Sequence, residues 1–230
     1  MDQAALQRRL ASLDYYQGAI DGQIGPVSKA AILACLTDGP DYPITDSDVA
    51  EAARDLGVDP AKVWAVYDVE STGKPFIEGR PTILFEPHRF SKSTGHRYDN
   101  SHPAISSRTW NRKLYPASQK GRWDQLLAAV SLDVDAGFMS ASYGGFQILG
   151  ENYAVCDAHD PWAFAWRQSR TEGDQLDAFV RFVIGNRLQG ALQRGDWAAF
   201  AKSYNGTAFK ENFYDTRLAA AYAARRATLH

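Results

Sequence analysis

Cysteines and long apolar runs are both scarce in this sequence. Cys35 and Cys156 are the two cysteines among 230 residues, which predicts free, buried thiols in a reducing compartment rather than a disulfide framework. Their spacing alone gives no support to a long-range disulfide. No uninterrupted apolar stretch approaches the roughly 18 residues typical of a membrane span. The first residues also lack the apolar segment of a signal peptide, so we expect the chain to stay at first in the cytoplasm.

An excess of charge of either sign is also missing. Lys and Arg number 25 and Asp and Glu 27, which gives a formal net charge of −2. This balance argues against a nucleic-acid-binding protein held by a broad basic surface. The hydrophobic content of 45% and the aromatic content of 12% allow a sizeable core. Such a composition favours a globular enzyme or binding protein over a disordered chain.

Helical periodicity dominates the sequence and predicts a mainly α fold. Apolar residues at helical spacing predict helices over 3–14, 26–36, 46–56, from 60 to about 71, 122–136, around 176–184, 197–204 and about 209–226. Residues 80–86 are short, apolar and β-branched and predict one extended segment. Residues 91–118 are polar without a sustained period and predict a long loop.

The clearest boundary lies near residue 40. The stretch DGPDYP at 38–43 combines helix-breaking residues and indicates a linker. We therefore predict a small helical N-terminal module at 1–40 and a larger domain at 45–230.

Glu70 is the residue that most needs an explanation. It ends the apolar segment VWAVYDVE, and Val63, Val66 and Glu70 share one helix face, at i, i+3 and i+7. Burial raises the pKa of a carboxylic acid, which keeps it protonated near neutral pH and suits it to protonate a leaving oxygen. Hydrolysis of a glycosidic bond requires such an acid. The alternative is a Glu that is paired with an arginine or exposed at a frayed helix end.

Several motifs in order resemble the goose-type lysozyme and lytic transglycosylase superfamily. They are ESTG at 70–73, SYGGFQI at 142–148 and YNG at 204–206. With RPTILFEPHRF at 80–90, the chain is most similar to the N-acetylmuramidase domain of bacteriophage endolysins, over about residues 45–226. The departures are Asp68, Tyr143 and Leu149, where members of the family often have Glu, Trp and Met.

The resemblance implies a lysozyme-like helical fold with Glu70 as the catalytic acid. Tyr143 keeps an aromatic side chain and is expected to offer a stacking face to a sugar. The residues expected to contact the glycan are Ser142, Tyr143, Gln147, Tyr204 and Asn205. No cofactor and no metal are implied.

A second catalytic carboxylate is not identified by the sequence. The candidates are Glu86, Asp133 and Asp135, with Asp99 as a weaker one. For Glu86, a structural role that holds the short strand to a helix is an equal alternative. Some relatives use one essential acid and a water positioned by polar neighbours, and we favour that arrangement.

The first 36 residues resemble a second family, the peptidoglycan-binding module found beside such enzymes. The matching stretch contains LQ at 6–7, YYQG at 15–18 and DGQIGP at 21–26, without the usual first helix. By this resemblance Tyr15, Tyr16 and Asp21 belong to a trimmed wall-binding module. A weak tethered binder raises the local concentration of substrate without new active-site contacts.

Other readings of the sequence stay open. His88, His96 and His102 with nearby acids suggest a zinc peptidase or amidase, although their spacing matches no helix-borne pair. A lytic transglycosylase uses the same acid, and a non-catalytic wall-binding protein would not need all the cleft motifs. Arg225 and Arg226 are expected at a solvated helix end, with contact to anionic lipids as the alternative.

We therefore expect a lysozyme-like muramidase that cleaves the β-1,4 bond between N-acetylmuramic acid and N-acetylglucosamine. Its partner is bacterial peptidoglycan, with no nucleic acid and no stable membrane insertion, and we expect a monomer. The resemblance implies a phage lysin that waits in the host cytoplasm and reaches the wall through a holin.

Overall fold

Amphipathic segments with clear end signals form the helices, as their periodicity predicts. The structure is a computed structural model that describes residues 1–71, 74–205, 210 and 212–228. The helices of these residues are α1 (Gln3–Ser12), α2 (Pro26–Thr37), α3 (Asp46–Leu56), α4 (Pro60–Ser71), α5 (Pro87–Ser93), α6 (Gln119–Leu132), α7 (Val134–Met139), α8 (Pro161–Gln168), α9 (Glu172–Gly185), α10 (Gln189–Arg194), α11 (Trp197–Asn205) and α12 (Tyr214–Thr228). None of them is long and apolar enough to cross a membrane. The predicted mainly α, lysozyme-like fold is confirmed.

Short strands make up the small β component. A hairpin pairs β1 (Phe76–Ile77) with β2 (Arg80–Pro81), and a three-stranded antiparallel sheet has the order β3 (Ile83–Phe85), β4 (Ala141–Tyr143) and β5 (Ile148–Leu149). The register places Leu84 opposite Ser142 and Tyr143 opposite Ile148. Only the first part of this sheet was expected, because β4 and β5 are too short to show a period; β4 forms by pairing with β3, and β5 by pairing with β4.

The helix predicted over 122–136 is two helices. Asp133 ends α6 and begins α7 with extended backbone, at φ −155° and ψ 113°. Its side-chain Oδ1 accepts a hydrogen bond from the Ala136 N–H at 3.0 Å, which caps α7. The apolar period continues across this break, and for that reason the periodicity alone does not reveal it.

Two further differences concern segments near the ends of predicted elements. Helix α5 enters the region predicted as a loop from 91 onward, because Pro87 begins a helix whose Phe90 and Ser91 are buried. The last helix begins at Tyr214, whereas the start predicted near Phe209 lies outside the described residues.

The N-terminal helices share one hydrophobic core with the rest of the chain. Leu6, Leu10 and Ile32 belong to the same buried cluster as the side chains of α4, α6 and α9. The Asp41 N–H donates to the Arg170 carbonyl at 3.0 Å, and the Arg170 side chain donates to the Asp38 carbonyl at 2.7 Å. Residues on the two sides of the boundary near residue 40 therefore pack and form hydrogen bonds with each other. The division into domains at 1–40 and 45–230 stays a prediction.

The two cysteines are free and fully buried. Burial raises the pKa of Cys35 to about 11 and that of Cys156 to about 12. Both thiols are therefore protonated at neutral pH and pack as small apolar side chains.

Helix α12 packs along the whole length of α4. Arg225 donates to both carboxylate oxygens of Asp68 at 2.6 Å, and its guanidinium lies 4.5 Å from the centre of the Trp64 ring. Arg226 lies 3.7 Å from Asp59, near the first turn of α4. Arg225, expected at a solvated helix end, is about one-third exposed and forms a forked ion pair with Asp68, whereas about half of the Arg226 side chain is exposed. Contact of this end with anionic lipids stays an alternative.

We expect Arg225→Ala to lower the free energy of unfolding by about 1 kcal/mol, because a bidentate pair that is about one-third exposed is only partly screened by water. Urea unfolding of Arg225→Ala, Asp68→Ala and the double variant gives the coupling energy of the pair. Arg226→Ala, which removes a longer contact on the same helix, is the control and should change stability less. A coupling energy of zero would contradict the expectation.

Candidate active site

Glu70 lies in the last turn of α4, half-buried beneath α12. The helix begins after Asp59, whose Oδ1 accepts a hydrogen bond from the Ala61 N–H at 2.9 Å. Val63 and Val66 of the same face are fully buried, as their spacing predicts. The hydroxyl of Tyr214 donates a hydrogen bond to Oε1 of Glu70. The carboxylate is thus positioned by a second helix rather than frayed at a helix end.

Tyr214 is a site residue that the sequence analysis missed. It is the first residue of α12 and is 4% exposed. Tyr214, Leu218, Tyr222 and Arg225 stand at i, i+4, i+8 and i+11, which places them on one face of the helix. That spacing could have shown which face packs, but nothing local shows that Glu70 lies opposite the tyrosine.

The end of α4 is fixed by a second contact from the same helix. The side chain of Arg217 donates to the Val69 carbonyl at 3.1 Å, which satisfies one of the last carbonyls of the helix. Thr72 and Gly73 of the ESTG motif lie outside the described residues.

The loop between β4 and β5 is held by the Gln147 amide. Ser142 donates to Oε1 of Gln147 at 2.9 Å, and Nε2 of Gln147 donates to the carbonyls of Thr82 at 3.1 Å and Gly144 at 2.8 Å. Gln147 adopts a positive φ of 47°, which costs energy that these hydrogen bonds offset. Ser142 and Gln147, both expected to contact glycan, are therefore brought together and shape the loop between β4 and β5.

The two glycines of this loop let it pack closely against α4 and α9. Gly144 has a φ of +70°, and a Cβ there would lie 2.3 Å from the side chain of Gln175. A Cβ on Gly145 would lie 2.8 Å from the Tyr67 ring. Because Tyr67 stands one turn before Glu70 on α4, these contacts bring the loop up to the helix that carries the acid.

Tyr143 does not offer a sugar-stacking face in this structure. Its side chain is fully buried, its ring packs edge-on against Phe164, and its hydroxyl donates to the Phe138 carbonyl at 2.9 Å. A buried ring has no face available to substrate, so the expected stacking role is corrected to internal support of the loop. Strand alternation places Tyr143 inward, which a three-residue strand is too short to reveal from sequence.

Tyr204 lies close to Glu70 within a cluster of aromatic rings. Its ring is within 5.3 Å of the ring centres of Phe182 and Phe200, and its hydroxyl donates to the Phe146 carbonyl at 2.6 Å. Burial, with a further effect from the negative charge of Glu70, raises the pKa of Tyr204 well above its ordinary value. The side chain of Asn205 and the whole of Gly206 lie outside the described residues.

Glu86 is a partly buried carboxylate among the candidates for a second acid. It follows β3, and its side chain accepts a hydrogen bond from the Tyr115 hydroxyl and lies 3.3 Å from Nδ1 of His88. Burial raises the pKa of Glu86, although Tyr115 and Arg89 act in the opposite direction. Its backbone N–H also donates to the Ser140 carbonyl at 2.8 Å, so the residue joins β3 to the end of α7.

Asp133, Asp135 and Asp99 each have a structural partner. Asp133 caps α7 and lies 3.2 Å from Arg97, while Asp135 accepts from the N-terminal amine of Met1. Asp99 accepts from the Ser106 hydroxyl at 2.6 Å, a contact that lowers the pKa of its carboxyl group. Each of the three carboxylates therefore has at least one contact that supports the fold.

The three histidines considered as zinc ligands in the sequence analysis contact different partners. His96 contacts the Ser91 hydroxyl at 2.8 Å, His102 contacts Ser101 at 2.9 Å, and His88 lies beside Glu86. Within the described ranges, no group of three or more His, Cys, Asp or Glu side chains is arranged to hold a metal ion.

The residues assigned to the N-terminal wall-binding module face inward or pair locally. Tyr16 is 6% exposed and donates to the Ala19 carbonyl at 2.7 Å. Asp21 accepts from Gln7 at 2.9 Å, and Tyr15 donates to Asp38 at 2.5 Å. All three therefore stabilise the module through its own hydrogen bonds.

Comparisons with known proteins bear on the family and the fold of the chain. The model of the N-acetylmuramidase family matches residues 59–226. Among solved structures, the crystal structure of an endolysin from the Burkholderia AP3 phage superposes with a TM-score of 0.74 at 30% identity, over 99% of this chain and 95% of that chain. None of the curated proteins compared matches the chain.

Glu86 should make stability depend on pH. Because burial raises its folded-state pKa above the ordinary 4.5, the folded protein holds this proton to higher pH than the unfolded chain does. The stabilisation that Glu86 contributes is fully present below the pKa that it has in the unfolded chain. It is lost as the pH rises through its higher folded-state pKa. The free energy of unfolding of wild type should therefore fall toward neutral pH relative to that of Glu86→Gln, which does not titrate.

Urea unfolding across this pH range measures the difference. Glu51→Gln, which removes an exposed carboxylate of α3, is the matched control and should follow wild type. Parallel pH profiles for wild type and Glu86→Gln would contradict the assignment of a raised pKa to Glu86.

Proposed function

Because the chain belongs to the N-acetylmuramidase family, we propose that it is a phage endolysin in which Glu70 cleaves the glycan of peptidoglycan. The bond is the β-1,4 linkage between N-acetylmuramic acid and N-acetylglucosamine. The observation that carries the proposal is the half-buried Glu70, held by Tyr214 beside Tyr204 and the loop from Ser142 to Gln147.

Glu70 acts as the general acid. In its protonated form it gives a proton to the glycosidic oxygen as the bond to the anomeric carbon breaks. A tyrosine hydroxyl that donates to one carboxyl oxygen fixes the rotamer of the acid. Tyr204, whose pKa is raised in part by the charge of Glu70, is the neighbouring aromatic side chain, and its hydroxyl is held by the Phe146 carbonyl.

A water held by polar neighbours of Glu70 completes the hydrolysis in this proposal. The structural contacts of Asp133, Asp135 and Asp99 support a mechanism with one essential acid, and Glu86 is tied to Tyr115. We place Ser142, Gln147, Tyr204 and Asn205 along the glycan-binding cleft, where Ser142 and Gln147 set the shape of the loop.

The remaining parts of the proposal come from the resemblance of the sequence to phage lysins. The enzyme acts as a monomer on bacterial peptidoglycan, without nucleic acid or a cofactor. It is made in the host cytoplasm and reaches the wall after a holin has opened the membrane, and the N-terminal 40 residues contribute to wall binding.

Glu70→Gln should abolish digestion of purified peptidoglycan, because an amide has no proton to give to the leaving oxygen. Mass spectrometry of the muropeptides is the measurement, with Glu51→Gln as the control that retains activity. Products of wild type that end in reducing N-acetylmuramic acid are expected. Products one water lighter would instead identify a lytic transglycosylase, and undiminished digestion by Glu70→Gln would refute the role of Glu70.

Tyr214→Phe should lower kcat about tenfold with little change in KM, because it removes one hydrogen bond to the catalytic carboxyl group and leaves the cleft in place. Turnover of solubilised glycan strands measures both constants. Tyr222→Phe is the matched control, since this tyrosine of the same helix face contacts Asp59 at 3.3 Å, far from Glu70. Equal effects of the two substitutions would mean that Tyr214 acts only through the packing of α12.

A further inference from the structure

A groove of about 530 Å³ lies between helix α1 and helix α8, outside the candidate active site. It joins the N-terminal module to the larger part of the chain. Its lining residues are Arg8, Arg9, Ser12, Leu13, Trp162 and Trp166.

The floor of the groove is apolar. Trp162 is 1% exposed and packs against the Phe138 ring at 5.2 Å, whereas Trp166 is 36% exposed and Leu13 is 41% exposed. A Trp and a Leu that remain accessible in one concavity are typical of a binding site, because such side chains otherwise pack away from water.

The rim of the groove is positively charged. Arg8 and Arg9 project from the exposed face of α1, and the guanidinium of Arg170 lies 5.3 Å from the centre of the Trp166 ring. Asp160 lies 3.9 Å from Arg9 but is engaged as the cap of α8, where it accepts from the Ala163 N–H at 2.7 Å. His159 contacts the same carboxylate at 3.4 Å.

The charge of this rim contrasts with the rest of the protein. The chain has a formal net charge of −2, so adjacent arginines beside an apolar floor are not a general property of its surface. Arg8 is in no ion pair among the residues that the structure describes. The groove is therefore complementary to a ligand that combines carboxylates with small apolar groups.

We propose that this groove binds the stem peptide of peptidoglycan, with its carboxylates on Arg8 and Arg9 and its alanine methyl groups on Trp166 and Leu13. The proposal rests on the proposed function, which supplies the wall as substrate. Arginine suits this ligand because its planar guanidinium donates two parallel hydrogen bonds to one carboxylate.

The groove also explains how the module could engage the wall although Tyr15, Tyr16 and Asp21 are committed to internal hydrogen bonds. The exposed face of α1 presents Arg8, Arg9, Ser12 and Leu13 instead. Binding of a peptide here would hold the enzyme on the wall while the glycan passes the catalytic acid, and so raise the local concentration of cleavable bonds.

The test measures co-sedimentation of full-length Glu70→Gln protein with purified peptidoglycan sacculi, so that the wall stays intact. Addition of Arg8→Gln and Arg9→Gln should weaken binding about tenfold, the loss expected when two charge-assisted hydrogen bonds are removed. Trp166→Ala, which keeps both charges, should weaken binding as well. The matched control is Arg112→Gln with Lys113→Gln, an exposed basic pair elsewhere, and it should bind like the parent.

Two further binding measurements identify the ligand, one with sacculi that lack peptides and one with lipid vesicles. Sacculi stripped of their peptides by an amidase should bind the parent protein as weakly as intact sacculi bind the double arginine variant. Unchanged binding to stripped sacculi, or unchanged binding by the arginine variant, would overturn the inference. The inference would also be overturned if Arg8 and Arg9 were required for binding to phosphatidylglycerol vesicles but not for binding to sacculi.

Digestion of sacculi by wild type separates the two proposals. If wild type releases no muropeptides, the proposed function fails whatever the binding result. If it releases them and binding does not depend on the groove, the groove inference alone fails.

Discussion

The packing of α12 on α4 is the constraint on which the candidate active site depends. Three contacts act along one helix pair: Arg225 on Asp68, Arg217 on the Val69 carbonyl and Tyr214 on Glu70. A carboxyl group in the last turn of a helix would otherwise be free to fray with it. The C-terminal helix, which is remote in sequence, therefore determines where the acid points.

The loop between β4 and β5 completes the site by a different kind of contact. Gln147 holds the loop through hydrogen bonds to Gly144 within it and to Thr82 outside it, and its glycines permit the approach to Tyr67 and Gln175. The buried Tyr143 supports the loop from beneath. Because a closely packed loop cannot shift without breaking these hydrogen bonds, its position against α4 is fixed before any ligand binds.

The groove proposed to bind the wall and the acid proposed to cleave the glycan are separate sites on one folded unit. Helix α1 contributes Leu6 and Leu10 to the shared hydrophobic cluster and turns Arg8 and Arg9 outward. The N-terminal helices are thus fixed on the enzyme rather than tethered by a flexible linker. A wall contact made there has a defined position relative to the catalytic acid, which a loose tether would not provide.

The sequence by itself determined the local and the chemical parts of this protein. The apolar stripe of α4 drew attention to Glu70, the helical period over 46–56 gave the bounds of α3, and three ordered motifs identified the family. These features are read within a few residues of one another. The break at Asp133, the strands β4 and β5, the inward side chain of Tyr143 and the Tyr214 contact were decided only by the tertiary structure. The strands and the contacts of Tyr143 and Tyr214 depend on groups that are apart in the chain, such as the 144 positions between Glu70 and Tyr214, and no local period encodes which distant face packs against which. The break at Asp133 is capped locally by its contact with the Ala136 N–H, but the apolar period that continues across it hides it in the sequence.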